Sequence, residues 1–407
     1  MKVAQIANIL NTKILPNILG GSAVVNEDLS NIVDIGIAIG DLNAYDKYIG
    51  KVINQIGLVK LADRELEVTA PDIYKEKWLY GSIMEMLSFE LPDAIDNDQQ
   101  NLTNGNTYNQ DIFYAPDVDV KFYNDKASWQ IPISLPGGGS NDNRIAQSFS
   151  SPEQCVIFWS GIELSIQNAL NLQTSALIMR CLNYYIAKQM YEDIIVGLDP
   201  GEGIGDVTGI RCVNVLKEYN DRFAKTLKAA DCLTDPDFLR YAAYVQLMTK
   251  DGLASPSDMY NMEGAVRQTT GKNLHYVTLS HYERATDLYL KADTYHNELV
   301  SLPRHKTVKF LQGPGADNSF ESCSNVHVKV KAIVSDVETS VEVNVSGIIA
   351  FMFDDMAASV TNETQNVTSH YNARADFYNN YYSVTAGYNN MYNQNFVIFY
   401  VADETSE

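Results

Sequence analysis

Three consecutive glycines in Pro136-Gly137-Gly138-Gly139-Ser140-Asn141-Asp142-Asn143 are followed closely by Ser151-Pro152-Glu153. A glycine run imposes almost no backbone preference, whereas Ser as N-cap with Pro at the first helical position is a strong helix start. The chain must therefore change character here, from a flexible linker to a long helix. Phe158, Ile162, Ile166 and Ala169 mark one helix face, and Ser160, Glu163, Gln167 and Asn171 the other. That pattern predicts a helix of about 20 residues, roughly 30 Å long. A second helix is expected from about Thr174, with Ile178, Cys181, Leu182, Tyr185 and Ile186 inward, ending near Gly197.

Before the linker the patterning is different. Val3, Ile6, Leu10 and Ile14 form a stripe at helical spacing that ends near Pro16 and Gly20-Gly21. Such a short arm cannot bury its apolar face alone and is expected to lie on a neighbouring element or subunit. Residues 58–135 carry short β-branched and aromatic runs, namely Trp78-Leu79-Tyr80, Ile83-Met84, Ile112-Phe113-Tyr114 and Trp129-Gln130-Ile131, which read as strands. Between them 93–109 is so rich in Asp, Asn, Gln and Gly that it reads as solvated loop. A long β excursion with little helix to lie on is poorly stable by itself.

After the helices the chain reads as mixed α/β. Gly201-Glu202-Gly203-Ile204-Gly205 is a loop; Asp235-Pro236 starts a helix carrying Phe238, Tyr241, Ala242 and Val245 that Gly252 closes. Leu274 to Leu279 is a strand, and Ser280 with Glu283 forms a capping box for a short helix. Val326 to Ile333 and Val337 to Val345 alternate, and Gly347 to Phe353 continues as a buried strand. Phe377 to Tyr388 and Asn395 to Ala402 flank Asn389-Asn390-Met391-Tyr392-Asn393 and read as a long hairpin.

Composition narrows the function. Over 407 residues, 45% are apolar and 20% charged, which excludes a disordered chain and allows an ample core. The net charge of −21 has the wrong sign for gripping phosphates, so nucleic-acid binding by the surface is not expected. The five cysteines are widely spaced with no C-x-x-C, which argues against a disulfide framework or a zinc site and for a reducing compartment. No signal peptide or membrane span is expected, because Asn8, Asn11 and Lys13 break the first apolar stretch and no later run is long enough.

No constellation for catalysis emerges. The glycines at 201–205 lack the preceding strand and following Gly-Lys-Ser/Thr of a phosphate loop. Acidic clusters at Asp93, Asp96 and Asp98, at Asp117 and Asp119, and at Asp354-Asp355 could supply paired carboxylates or a calcium site, but read as solvated turns. The six histidines have no H-x-x-x-H spacing and read as structural. No G-x-S-x-G elbow or cysteine nucleophile motif is present, so no enzyme, cofactor or metal is expected. What is unusual is 25 tyrosines, many in polar surroundings such as Tyr371, Tyr378, Tyr381 and Tyr382, a residue type enriched at interfaces. An assembly protein explains this better than an enzyme.

Three stretches then become specific: Ile53-Asn54-Gln55-Ile56-Gly57-Leu58-Val59; Tyr108 to Trp129 leading through Phe149 into Pro152; and Phe353-Asp354-Asp355-Met356 with Tyr378-Asn379-Asn380-Tyr381-Tyr382. With the order of arm, β excursion, linker, helix and mixed region, the chain resembles the tailed-bacteriophage major capsid (major head) proteins of the Hong Kong 97 type. Its nearest likeness is to small short-tailed phages of the phi-twenty-nine kind. The resemblance implies an α+β fold: 1–57 as N-terminal arm and lead-in, 58–135 as extended β loop over the adjacent subunit, and 136–197 as linker and peripheral-domain helices with the long spine helix. It implies further that 198–345 is the axial domain and that 346–407 returns to the peripheral domain.

By the same resemblance the protein self-assembles into hexamers and pentamers of an icosahedral or elongated shell enclosing DNA without sequence-specific binding. Inter-subunit contacts would fall on Ile6 and Leu10 of the arm and on Lys75, Trp78, Tyr80, Phe113, Tyr114 and Trp129 of the loop, with Gly137, Gly138 and Gly139 as hinge. Some members cross-link their shells through a Lys to Asn isopeptide bond; Lys75 or Lys77 lies in the right loop, but no motif supplies the partner residues. Implied partners are a separate scaffolding protein, a portal protein and a decoration or head-fibre protein, with no membrane involved. The implied location is the virion, after assembly in the host cytoplasm. The rival readings are a carbohydrate-binding or adhesin protein of a phage tail or cell surface, and a glycoside hydrolase using Asp93, Asp96 or Asp354.

Overall fold

The computed structural model describes residues 11, 24, 26–28, 30, 66, 70–75, 86–89, 118–121, 124–136, 152–291, 305–315, 317–334, 337–372, 374 and 377–405. Ile6, Leu10, Trp78 to Tyr80, 93–109, Ile112 to Tyr114 and Gly137 to Gly139 lie outside them. The chain divides into two compact units, one of residues 1–68, 128–175 and 363–386 and the other of 69–127, 176–362 and 387–407.

The helix after the linker, α1, runs unbroken over Pro152–Asp193, 42 residues where two helices are expected from the sequence. The reason lies in the polar side chains near the supposed break. Asn168 accepts from the main-chain N–H of Leu66 at 2.8 Å, and Asn171 donates to the Leu66 carbonyl at 3.2 Å. Asn ends helices when its side chain bonds the local backbone instead; turned outward to another segment, it leaves the ladder intact. With no Gly or Pro between Asn171 and Thr174, nothing else interrupts it.

The larger unit is built on a five-stranded sheet in the order β5-β13-β10-β6-β7, where β5 is Cys212–Asn214, β6 Leu274–Leu279, β7 Lys306–Val308, β10 Ile348–Asp354 and β13 Phe396–Tyr400. β10 is antiparallel to both β13 and β6, while β13–β5 and β6–β7 are parallel. Every residue of β10 is buried, which is why its sequence is continuously apolar from Ile348 to Phe353 rather than alternating. On one face Phe396 stacks on Tyr185 of α1 with ring centroids 4.1 Å apart, and Phe351 and Phe353 stack alongside Phe396. On the other, Ala350, Met352, Val397 and Phe399 meet α2 (Val215–Phe223), α3 (Pro236–Leu253) and α4 (Ser280–Thr286) through Tyr219, Phe238 and Tyr282.

Local signals meet mixed fates. The Asp235 side chain caps α3 by accepting from the N–H groups of Asp237 and Phe238, as its position before Pro236 predicts. Gly252 does not close α3, which continues to Leu253; a Cβ there would lie 2.2 Å from the Tyr260 hydroxyl, so a larger residue would require the Tyr260 side chain to shift. The expected capping box at Ser280 is not formed. The Glu283 carboxylate instead receives the Thr307 hydroxyl at 2.6 Å and faces His305 Nε2 at 3.2 Å, tying α4 to β7.

The expected hairpin at 377–402 is overturned. β12 (Phe377–Asn390) lies between β11 (Ala358–Asn372) and β4 (Asn124–Pro136) in the sheet β1-β11-β12-β4, with β1 at Tyr74–Lys75, whereas β13 belongs to the five-stranded sheet. Residues 391–395 are a buried crossing between sheets. Met391 N–H donates to Ala357 O, Met262 N–H to Tyr392 O, and Phe396 N–H to Tyr260 O. Asparagines suggest a solvated turn, but Asn389, Asn390, Asn393 and Asn395 are all buried here, with the side-chain amides of Asn389, Asn390 and Asn395 each donating to a partner inside the fold. Asn390, for example, donates to the Cys181 carbonyl and receives the Cys181 thiol.

Two two-stranded sheets complete the description: β2 (Met86–Phe89) with β3 (Val118–Lys121), and β8 (Val326–Val334) with β9 (Val337–Val345). The last helix, α5, is the single turn Phe320–Cys323.

Candidate assembly interface

Between Arg240 and Asp251 the outer face of α3 is apolar, where a helix covering a sheet normally turns polar. Tyr244 and Met248, one turn apart, are 50% and 53% exposed, and Leu247 beside them is also exposed. From α2, Phe223 adds a half-exposed ring, and the Arg222 guanidinium sits 5.6 to 6.0 Å from the ring centres of Tyr241, Phe223 and Tyr244. An arginine placed over several aromatic rings at the surface combines the residue types that dominate protein contact surfaces. Beneath them Glu218 accepts from Thr208 at 3.3 Å and from the Tyr241 hydroxyl at 3.5 Å. Burial raises the Glu218 carboxyl above its ordinary value, and these two donors offset part of that rise. In the sequence this patch is marked only by Arg222-Phe223 and the spacing of Tyr241, Tyr244 and Met248, which do not by themselves distinguish an exposed face from a core-facing one.

Of the residues expected at contacts, two lie among the described ones. Lys75 is in β1, where it pairs in parallel register with Thr361 of β11. Trp129 is in β4, in the smaller unit, on the half-buried side with Ala127, Ile131 and Ile133, while Ser128, Gln130 and Pro132 are exposed. The β4 strand thus has the alternation of a strand with one covered face. Helix α1 differs along its length. Ile162, Ile166 and Ala169 are only half-buried, whereas Ile178, Cys181, Leu182, Tyr185 and Ile186 are buried, as their spacing predicts.

The groups considered for chemistry are engaged structurally. Asp354 is buried at the end of β10 rather than in a solvated turn, accepting from Thr269 Oγ1 at 2.8 Å and from the N–H of Met356 at 3.0 Å. Asp355 faces His275 Nε2 at 3.0 Å, so the two neighbouring carboxylates serve separate contacts. His281 meets the Asn318 carbonyl and His327 the Glu342 carboxylate. Cys181, Cys212, Cys232 and Cys323 are free and buried; burial pushes the Cys181 and Cys232 thiols up to about 12. Among the described residues no group of His, Cys, Asp or Glu is arranged to hold a metal ion, and no helix is long and apolar enough to cross a membrane.

The glycine loop at 201–205 has a structural purpose. A Cβ on Gly205 would lie 1.7 Å from the Asp403 carbonyl oxygen, and one on Gly203 2.7 Å from Thr405 Oγ1. The loop receives the segment 403–405, whose Thr405 N–H and hydroxyl both donate to Asp206.

Comparison with known proteins places this architecture. The capsid structure of Staphylococcus phage Andhra is similar over 85% of this chain and 87% of that chain, with TM-score 0.51 and 12% identity. The structure of the head fiber and inner core protein gp22 of native bacteriophage P68 is similar over 85% of this chain and 88% of that one, with TM-score 0.50 and 11% identity. At such identities the likeness is one of fold, and the fold is the Hong Kong 97 type expected from the sequence. No curated protein matches the chain. The family model for the Phi29-like phage major capsid protein matches residues 8–400 and does not favour the glycan-binding reading. The chain therefore belongs to the Phi29-like phage major capsid protein family and is a shell-forming component of the virion.

Proposed function

We propose that the protein builds its shell from hexamers and pentamers of itself, in the host cytoplasm, guided by a separate scaffolding protein and closed around a portal protein. The observation that carries this reading is the exposed aromatic face of α2 and α3 centred on Arg222, a surface the chain leaves uncovered although it is apolar. Repetition of such modest contacts around closed rings suffices to hold a shell. In this reading residues 198–345 form the axial domain, 58–135 lie over the adjacent subunit with Lys75, Trp78, Tyr80, Phe113, Tyr114 and Trp129 at the contact, and Ile6 and Leu10 anchor the arm. Its role is structural, with no reaction catalysed.

The test is negative-stain electron microscopy with sedimentation on the full chain alone and beside candidate scaffolding proteins. Rings of five and six, tubes or shells are the expected products, and Tyr244→Ala with Arg222→Ala should reduce them while leaving the melting temperature nearly unchanged. A persistent monomer in every mixture overturns the reading. The hinge at Gly137, Gly138 and Gly139 is tested by replacing all three with alanine, which should disturb closure; shells of normal size from that variant would remove the hinge.

A further inference from the structure

The β8–β9 ribbon has two edges, and they are treated differently. On β8 the main chain of His327 is clasped by Gln312, which donates to its carbonyl at 2.8 Å and accepts from its N–H at 2.6 Å. Two residues beyond Lys329, the Lys331 N–H donates to the Tyr184 hydroxyl at 3.2 Å and its carbonyl accepts from Lys188 Nζ at 2.8 Å. Side chains thus occupy the edge where another strand would dock, a common protection against unwanted pairing.

These same bonds establish which way β9 points. Because His327 and Lys331 direct their main-chain groups away from β9, their facing residues Asn344 and Ser340 direct theirs away from β8. The alternation adds Glu338 and Glu342, so that 338, 340, 342 and 344 present N–H and C=O groups along one open edge with exposed side chains. Among the described residues no hydrogen bond reaches that edge, and no strand but β8 pairs with β9. A nine-residue strand of sequence VETSVEVNV, rich in β-branched residues, is a long edge to leave open.

We propose that the open edge of β9 pairs antiparallel with β9 of a second copy, joining two ribbons into a β8-β9-β9-β8 sheet across a two-fold axis at Val341. The inference rests on the shell-forming role, which brings copies of the chain side by side. Charge selects the register. Only pairings of even-numbered with even-numbered residues bring the outward groups together. Centred on Ser340, such pairing sets Glu338 against Glu342; centred on Glu342, it sets that residue against itself; like charges directly opposite are unfavourable. Centred on Val341, Glu338 faces Asn344 and Ser340 faces Glu342, so that each carboxylate meets a side-chain donor. All four outward residues are then used, exchanging about eight main-chain hydrogen bonds. A two-fold contact closes on itself and leaves no edge exposed.

Single cysteines in the full chain test this directly. In the proposed register Val341 lies opposite its own copy at about 4.5 Å between Cα atoms, within disulfide range. Val341→Cys should give a dimer on non-reducing gels of oxidised particles, well above the wild-type background, whereas Ser340→Cys and Glu342→Cys should not. Equal or stronger dimer formation at 340 or 342 overturns the proposal. In parallel, Ser340→Pro removes one outward N–H without touching the β8–β9 ladder; it should leave the monomer folded and lower the yield of particles at least tenfold. Normal shells from Ser340→Pro, or normal shells of Val341→Cys with no dimer band, overturn the β9 contact and leave the shell role standing. Absence of both particles and dimers in every mixture overturns both.

Discussion

Arg211 holds Asp193 in a fork: Nε donates to Oδ2 at 3.0 Å and a terminal nitrogen to Oδ1 at 2.5 Å. Asp193 is the last residue of α1, where the helix dipole disfavours an anion, and its side chain is largely buried. Burial raises its carboxyl above the ordinary 3.8, and the guanidinium offsets part of that rise. Because Arg211 also donates to the Asn261 carbonyl, it joins the end of the spine helix to the loop after α3.

Arg211→Ala should therefore cost about 3 kcal/mol, since it leaves a largely buried carboxylate unpaired. Arg211→Lys should recover only part, because an ammonium cannot form the fork. The pH dependence follows from the raised carboxyl: its contribution is present below the unfolded value of 3.8 and lost as pH rises through the folded one. Arg211→Ala should thus lose more stability relative to wild type at pH 8 than at pH 5, measured by chemical denaturation at both.

Glycine substitutions separate close approach from backbone strain. Gly347 has φ +85° and a Cβ there would meet the Val401 carbonyl oxygen at 2.0 Å; Gly201 has φ +104° and open space around it. Gly347→Ala should lower the melting temperature far more than Gly201→Ala, whose cost is on the order of 1 kcal/mol. A similar fall for both would mean that strain alone matters at Gly347.

The segment 403–405 should loosen in acid. Hydrogen bonds from Thr405 hold the Asp206 carboxyl below its ordinary 3.8. A depressed carboxyl contributes above the unfolded value and is lost as pH falls through the folded one. Protease sensitivity of residues 401–405 should rise below about pH 3.8 and already be high at neutral pH in Asp206→Asn.

Tyr185 should show a graded response. Its hydroxyl donates to the Met391 carbonyl at 3.1 Å, with the Gln394 carbonyl at 3.4 Å, and its ring stacks on Phe396. Tyr185→Phe should cost about 1 kcal/mol and Tyr185→Ala about 3–5 kcal/mol by urea denaturation. Equal losses would locate the energy in the hydroxyl and contradict the stacking.

Thiol titration checks the interior. The buried thiols of Cys181, Cys212, Cys232 and Cys323 are all raised by burial, leaving little thiolate at neutral pH. The native chain should react rapidly at no more than one of its five cysteines, and at all five once unfolded. Two or more fast thiols would show that this interior opens readily.

Signals confined to one segment were legible in the sequence. The start of α1 at Pro152, the Asp235 cap, the strand at Leu274–Leu279 and the alternation of β8 and β9 each depend on side chains within a few residues, and so did the apolar run of β10. The order of these segments also carried the resemblance to phage capsid proteins. Partners distant in sequence decided the rest. A second helix is expected from about Thr174, yet Asn168 and Asn171 turn outward to Leu66 and the helix runs on; Glu283 read as a cap until Thr307 took its carboxylate, and the asparagines at 389–395 read as a turn until the crossing buried them. The exposed rings around Arg222 and the open edge of β9 belong to the same class. Hydrophobic period shows which side of a segment is apolar, but only the assembled fold determines whether another part of the chain covers it.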